Sequence, residues 1–146
     1  MLSPPQPPPQ DGSNLAPSAT ATASSEAWEQ GASKATDGFT DGYPTNDTHE
    51  WASQDEGAGA WLQLSWSSPQ SVSSVTLFDR PNSDDQVLGG TLSFSDGSSV
   101  PVGALSNGGG AVPMSFARRS VTWLRFTVSS VSANTYSVGL AELEVR

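Results

Sequence analysis

The sequence contains no cysteine, and this absence excludes thiolate metal sites, disulfide bonds and cysteine nucleophiles. It does not fix the compartment, because extracellular modules also exist without disulfides. No apolar run approaches the length that spans a bilayer. The opening residues, MLSPPQPPPQDGSN, have neither the basic nor the apolar region of a signal peptide.

Basic residues are also scarce: six lysines and arginines stand against fifteen aspartates and glutamates, for a net charge of −9. An acidic surface repels phosphate backbones and anionic lipid headgroups. We therefore expect neither a nucleic-acid partner nor a membrane partner. Neutral ligands, cationic ligands and divalent metal ions are compatible with this charge.

Histidine occurs once, as His49, and this weighs against most kinds of catalysis. A hydrolase triad needs a base beside its nucleophile, and no Gly-x-Ser-x-Gly turn is present. Zinc catalysis normally takes about three nitrogen, oxygen or sulfur ligands. A glycosidase that works with two carboxylates remains an alternative. Its candidate residues are Asp37, Asp41, Glu50, Asp55 and Glu56.

Residues 1–13 contain five prolines and two glutamines, a composition typical of an extended, polyproline-like linker. An SH3-type ligand is the alternative, but it normally carries a flanking basic residue. Residues 14–146 are long enough to form one domain with a core of its own. A linker before a compact domain indicates a module of a larger multidomain protein, and we expect the module to be monomeric.

Residues 14–146 carry strand patterns separated by glycine and aspartate turns. Residues 18–25 alternate small residues with threonine, and a Ser-Pro turn is expected at 68–69 between two apolar runs. Asp96-Gly97 predicts a tight hairpin turn. Residues at period two predict the buried faces of three strands: Leu62, Leu64, Trp66, Leu92, Phe94, Leu124, Phe126 and Val128. The last run has Leu140, Leu143 and Val145 as its apolar positions. This pattern predicts an all-β sandwich or jelly roll.

The acidic stretch DGFTDGYPTNDTHEW, residues 37–51, is a candidate metal site. It does not match an EF-hand loop, since the twelfth position is Thr48 rather than glutamate. An irregular calcium site fits, because calcium accepts several carboxylate and carbonyl oxygens. A solvated acidic turn is the alternative.

Aromatic and basic residues supply candidate ligand contacts. Trp51, Trp61 and Trp66 lie in strand-like runs and are expected in the core, whereas Trp28, Tyr43 and Tyr136 lie in polar loops. The stretch FDRPNSDDQ places Arg80 after an apolar strand, close to an amide and carboxylates. A guanidinium in such surroundings can bind neighbouring hydroxyl groups. A surface ion pair of Arg80 with Asp79 or Asp85 is the alternative.

Seven stretches, in order, resemble the discoidin-like, coagulation factor 5/8 type C domains, and among these the family 32 type of carbohydrate-binding module. They are NLAPSATATASS, ASKATDG, EWAS, AWLQLSW, VTLFDR, ARRSVTWLRFTV and VGLAELEV. The resemblance covers residues 14–146 and implies an eight-stranded jelly-roll β-sandwich of the galactose-binding-domain type. Relatives of this kind are often appended to secreted enzymes.

The resemblance also implies two sets of site residues. A structural calcium ion would take oxygens from Lys34, Asp37, Thr48, Ala141 and Glu142, with Asp41 as a reserve ligand. A sugar would be bound by His49, Arg80, Asn82 and Tyr136. Asn82 lies nearer the arginine than is usual in relatives, so Asp84 or Asp85 is expected to share its role. Tyr43 is expected to add a wall.

We therefore expect a secreted, non-catalytic carbohydrate-binding module that targets an appended enzyme to a glycan. The acidic surface favours neutral or cationic glycans, such as deacetylated amino-sugar polymers. An Arg80→Ala variant is expected to lose glycan binding and keep its fold. A discoidin-type protein-interaction domain is the main alternative, and the carboxylate glycosidase is a further one.

Overall fold

The computed structural model describes residues 13–42, 46–82 and 84–146. Tyr43 and nearly all of the predicted linker lie outside the described residues. In the described part the chain forms seven strands. Their bounds are β1 Thr20–Ala23, β2 Trp51–Ala52, β3 Trp61–Asp79, β4 Val87–Phe94, β5 Ser99–Val102, β6 Ala111–Val131 and β7 Gly139–Val145. Short 3-10 helices lie at Ala16–Ser18, Ala32–Thr36 and Asp47–His49.

The two long strands, β3 and β6, pair with each other and divide the strands into two groups. Residues 61–65 of β3 pair with β1 and with the second half of β6, which in turn pairs with β4. β5 pairs with the outer side of β4. Residues 75–79 of β3 pair with β7, and β7 pairs with β2. Each long strand thus belongs to both groups.

The two groups pack face to face. One hydrophobic core contains side chains from the first group, such as Leu62, Phe94 and Phe126, together with Leu77 and Leu143 from the second. In β3 and β4 burial largely follows period two, as expected for one face on a core and one face in solvent, whereas nearly every residue of β7 is buried. The predicted β-sandwich is confirmed. The strand number is seven in the described residues rather than eight, since β3 and β6 run uninterrupted through both groups.

Local predictions agree with the structure at most positions. Gly97 has φ 89° in the turn between β4 and β5, as predicted from Asp96-Gly97. Trp51 and Trp66 are buried, whereas Trp61 is half-buried beneath the Arg125 guanidinium, 3.8 Å from the ring centroid. The predicted turn at 68–69 is wrong, because β3 continues through it with a register shift between Ser65 and Gln70. Proline fits such an irregularity, where no ladder hydrogen bond is needed.

The loops that carry most of the candidate site residues lie at one end of the sandwich, which we call the loop end. Leu140, near the start of β7, pairs with Asp79 at the end of β3 and with Trp51 in β2. The loops around residues 24–30, 46–50, 53–56, 80–86 and 132–138 therefore meet there. None of the described helices is long and apolar enough to cross a membrane.

Candidate functional site

Arg80 is the centre of the loop end, and it is buried, with 6% of its surface exposed. It follows β3 directly, so its backbone is fixed by the sheet, and its N–H donates to Asp79 Oδ1 at 2.8 Å. The guanidinium Nε donates to Glu50 Oε2. Nη1 donates to Asp85 Oδ2 and to the Ser137 carbonyl oxygen, each at 2.8 Å. The side chain thus joins three separate loops.

Asp85 connects Arg80 to the exposed surface. Its Oδ2 atom also accepts from Asn82 Nδ2 at 3.0 Å, and its Oδ1 atom accepts from the backbone N–H of Tyr136 at 2.7 Å. The Tyr136 side chain is 72% exposed, so a rigid backbone carries a ring that faces solvent. The predicted ligand residues Arg80, Asn82, Asp85 and Tyr136 therefore form one hydrogen-bonded group, which we call the Arg80 group.

Three buried acidic residues surround Arg80, and two of them lie outside the Arg80 group. Glu50, Asp79 and Asp85 are all buried around the one guanidinium. Burial raises the pKa of Asp79 to about 7, against the hydrogen bonds from the Val87 and Arg80 N–H groups and the charge of Arg80, which lower it. The predicted ion pair of Arg80 with Asp85 is present but buried rather than on the surface.

Two glycines make room for this arrangement. A Cβ on Gly139 would clash with the Trp51 carbonyl oxygen and lie 2.9 Å from Arg80 Cδ. A Cβ on Gly42 would clash with the Glu50 carboxylate, at 3.1 Å from its Cδ atom. A larger residue at Gly42 would displace the Glu50 carboxylate, and one at Gly139 would displace the β2 backbone at Trp51 together with the Arg80 side chain.

His49 lies in a second group beside the first. Its ring stacks on Phe39 with centroids 4.0 Å apart, and its Nδ1 atom lies 2.7 Å from Asp41 Oδ1. Asn46 Oδ1 accepts from the Thr48 N–H, which orients the amide so that its Nδ2 donates to His49 Nε2 at 3.2 Å. This assigns the tautomer with hydrogen on Nδ1. His49 therefore bonds to its own loop, while the next residue, Glu50, bonds to Arg80.

The predicted calcium residues surround a buried carboxylate. Glu142 is fully buried, its Oε2 atom accepts from the Gly38 N–H at 3.0 Å, and its Oε1 atom has no hydrogen-bond partner among the described residues. Burial, together with the negative charge of Asp37, raises the pKa of Glu142 to about 8, against the hydrogen bond from the Gly38 N–H, which lowers it. An unsatisfied carboxylate oxygen beside a second carboxylate fits a hard divalent cation.

The positions of the other predicted calcium residues support an ion site less strongly than those of Asp37 and Glu142. Ala141 is buried next to Glu142 in β7, and Lys34 lies in the 3-10 helix that packs on β7. The Thr48 hydroxyl donates to Asn46 Oδ1 at 2.6 Å, and the reserve ligand Asp41 contacts His49. The described residues contain no cluster of three or more histidine, cysteine or acidic side chains that could hold a metal. A calcium ion here would depend on two carboxylates and backbone carbonyl oxygens.

Two contacts of Arg80, those with Glu50 and with the Ser137 carbonyl, were not predicted from the sequence. Glu50 directly precedes Trp51, the first residue of β2, and is fully buried. Gln30 Nε2 donates to its Oε2 atom at 3.0 Å. An acidic residue beside a buried strand needs a cationic or hydrogen-bonding partner. That signal, together with an arginine at the end of another apolar strand, could have indicated the Glu50–Arg80 pair.

A protein-family model described as "Domain of unknown function (DUF7402)" matches residues 14–146. The chain belongs to this family. No curated protein matches the sequence. Among solved structures, the neighbours are family 32 carbohydrate-binding modules and discoidin-like lectin domains, so the resemblance stated from the sequence is confirmed.

Three of these structures illustrate the similarity. The family 32 module of C. perfringens NanJ, solved with galactose, is 18% identical with a TM-score of 0.69, and 89% of this chain covers 96% of that one. The lectin domain of lectinolysin, solved with Lewis B antigen, is 20% identical with a TM-score of 0.74, over 94% and 98% of the two chains. Chitosan-binding module 1 of a chitosanase/glucanase from Paenibacillus sp. IK-5 is 26% identical with a TM-score of 0.70, over 92% and 98%.

Proposed function

We propose that this chain is a non-catalytic carbohydrate-binding module whose ligand site is the loop end around the Arg80 group. The observation that carries this proposal is the exposed Tyr136 ring on a loop held by Asp85 and Arg80. The ring offers an apolar face to the C–H face of a sugar, and Asn82 and Asp84 offer polar groups beside it. The sugar-bound and chitosan-binding neighbours support the same class of ligand.

The buried part of the Arg80 group supplies rigidity. Arg80 and Asp85 have small exposed fractions, 6% and 7%. In the proposed sugar site they would therefore form the floor, and Tyr136 would form one wall. Because the Tyr136 backbone is already fixed, little conformational entropy is lost when a ligand binds. His49, in the neighbouring loop, is proposed as a further sugar contact. Tyr43, which lies outside the described residues, is proposed as a contact on the sequence alone.

Most of the candidate catalytic carboxylates already have structural partners. Glu50 is fully buried against Arg80, Asp41 contacts His49, and Glu56 accepts from the hydroxyl groups of Ser24 and Ser25. These contacts support a binding role over a glycosidase.

The proposal includes a structural calcium ion and a cellular context. Lys34, Asp37, Thr48, Ala141 and Glu142 would hold the ion, which would tie the Asp37 loop to β7 and neutralise the buried Glu142 carboxylate. The module would be monomeric and secreted, as part of a larger enzyme. The chitosan-binding neighbour, which derives from an enzyme, supports this context.

Substitution of Tyr136 tests the site. A glycan array probed with the native chain identifies the bound sugar, and Tyr136→Ala is expected to weaken that binding by about tenfold or more, since a central aromatic contact is lost. Tyr136→Phe serves as the matched control, because it keeps the ring, and it should retain most of the affinity. Equal binding by native and Tyr136→Ala chains would place the ligand elsewhere. Silence across the array would favour a protein-interaction domain.

A further inference from the structure

We propose that Trp28 forms a second aromatic platform beside Tyr136, and that the two together bind neighbouring residues of a cationic, amino-bearing glycan chain. This inference rests on the proposed glycan-binding function and names its ligand class. Trp28 is 84% exposed, which is costly for the largest apolar side chain and is typical of a binding surface.

The turn that carries Trp28 is held in place by the sheet. Gln30 N–H donates to the Ala27 carbonyl at 3.0 Å, which closes the turn around Trp28 and Glu29. Ala27 N–H donates to the Ala52 carbonyl at 2.8 Å, and Ala52 N–H donates to the Gln30 carbonyl at 3.1 Å. The turn thus extends the sheet beyond β2, and Trp28 projects from a fixed backbone.

The same turn is connected to the Arg80 group. Gln30 Nε2 donates to Glu50, which pairs with Arg80. The loop at 54–55 links the segment before the Trp28 turn to the loop that carries Tyr136. The Gln54 N–H donates to Ser25 Oγ at 2.9 Å, and the Asp55 N–H donates to Ser137 Oγ at 3.2 Å. Because β2 lies between the Trp28 turn and β7, that turn and the start of β7, which directly follows the Tyr136 loop, are about 10 Å apart, or two strand spacings. That separation is wider than one pyranose ring, so two platforms suit a chain of sugars.

The negative charge near the two aromatic rings indicates which kind of glycan chain would bind. Eleven of the fifteen acidic residues lie between residues 26 and 85, with Lys34 and Arg80 as the only lysine and arginine there. Arg80 is buried among carboxylates, whereas Glu29, Asp55 and Asp84 are exposed on the loops that carry or adjoin the two rings. Glu29 and Asp55 have left-handed backbones, with φ 61° and 57°. Exposed acidic residues on the loops that carry or adjoin two aromatic rings complement protonated amino groups spaced along a glycan.

The test compares two hexasaccharides of equal length by isothermal titration calorimetry: the glucosamine hexamer and its fully N-acetylated, uncharged counterpart. We expect the native chain to bind the glucosamine hexamer about tenfold more tightly, and added salt to reduce the difference. Trp28→Ala should weaken binding of the hexamer about five- to tenfold and leave binding of monomeric glucosamine, followed by NMR, unchanged. Trp28→Phe should recover part of the loss.

Each result separates this inference from the proposed function. Equal affinities for the two hexamers, equal affinities of native and Trp28→Ala chains, or no hexamer binding would overturn the inference, while a glycan-array signal sensitive to Tyr136→Ala would keep the proposed function. Absence of every glycan signal would overturn both. Because Trp28 is exposed, thermal unfolding of Trp28→Ala should match that of the native chain, which confirms that any loss is one of binding.

Discussion

Replacing Arg80 with alanine is expected to lower the free energy of unfolding by about 3–5 kcal/mol. The guanidinium is the partner of Glu50, which is fully buried, and of Asp85, which is 7% exposed. Removing it leaves two buried carboxylates without their cation. Urea unfolding followed by tryptophan fluorescence measures the change. The sequence alone leads us to expect that Arg80→Ala keeps its fold. The structure changes this expectation, because a buried arginine contributes to stability as well as to the proposed site.

Arg118→Ala is the matched control for this experiment. Arg118 is exposed and bonds only to Ser71 and Ser73 among the hydrogen bonds described, so its loss should change stability by about 0.5 kcal/mol or less. Glycan binding should be lost with Arg80→Ala and kept with Arg118→Ala. An Arg80→Ala protein as stable as the native one would contradict the buried Glu50–Arg80–Asp85 arrangement.

Calcium is expected to stabilise the chain by about 2.7 kcal/mol when present at about 100 times its Kd. The stabilisation follows from binding to the folded state alone, since Asp37 and Glu142 come from distant parts of the sequence. Glu142→Gln should remove the calcium dependence, because the amide carries no charge for the ion. Thermal unfolding with calcium and with a chelator measures both effects.

Glu144→Gln provides the control for the calcium experiment, because Glu144 lies two residues further along β7 and pairs with Arg146 at the surface. It should keep the full response to calcium. Identical unfolding of the native chain with calcium and with chelator would overturn the calcium proposal and leave the glycan proposal standing.

Much of the fold could be predicted because period-two burial is a local property of the sequence. Leu92 and Phe94 share a face in β4, and Leu124, Phe126 and Val128 share one in β6, as their spacing indicates. The continuity of β3 and β6 could not be predicted. A bend within a strand and a turn between two strands carry similar residues, such as Pro69, and only pairing with a distant strand distinguishes them.

The site could be predicted in part. Arg80, Asn82 and Asp85 lie close together in the sequence, and their grouping follows from one loop. The partnership of Arg80 with Glu50 joins residues 30 positions apart and depends on the pairing of β2 with β7 and of β7 with β3. The contacts of His49 depend on the Asn46 amide and the Phe39 ring, which the sequence does not place beside it.

The most direct test of glycan binding at this end of the sandwich is an NMR titration of the isotope-labelled chain with the sugar identified on the array. The amide signals of Tyr136 and Ser137 should shift in a saturable way. The signals of Gly97 and Ser98 should stay in place, because they lie at the far end of β4, about 25 Å away. Shifts confined to the β4–β5 turn, or no saturable shift at Tyr136 and Ser137, would contradict the account.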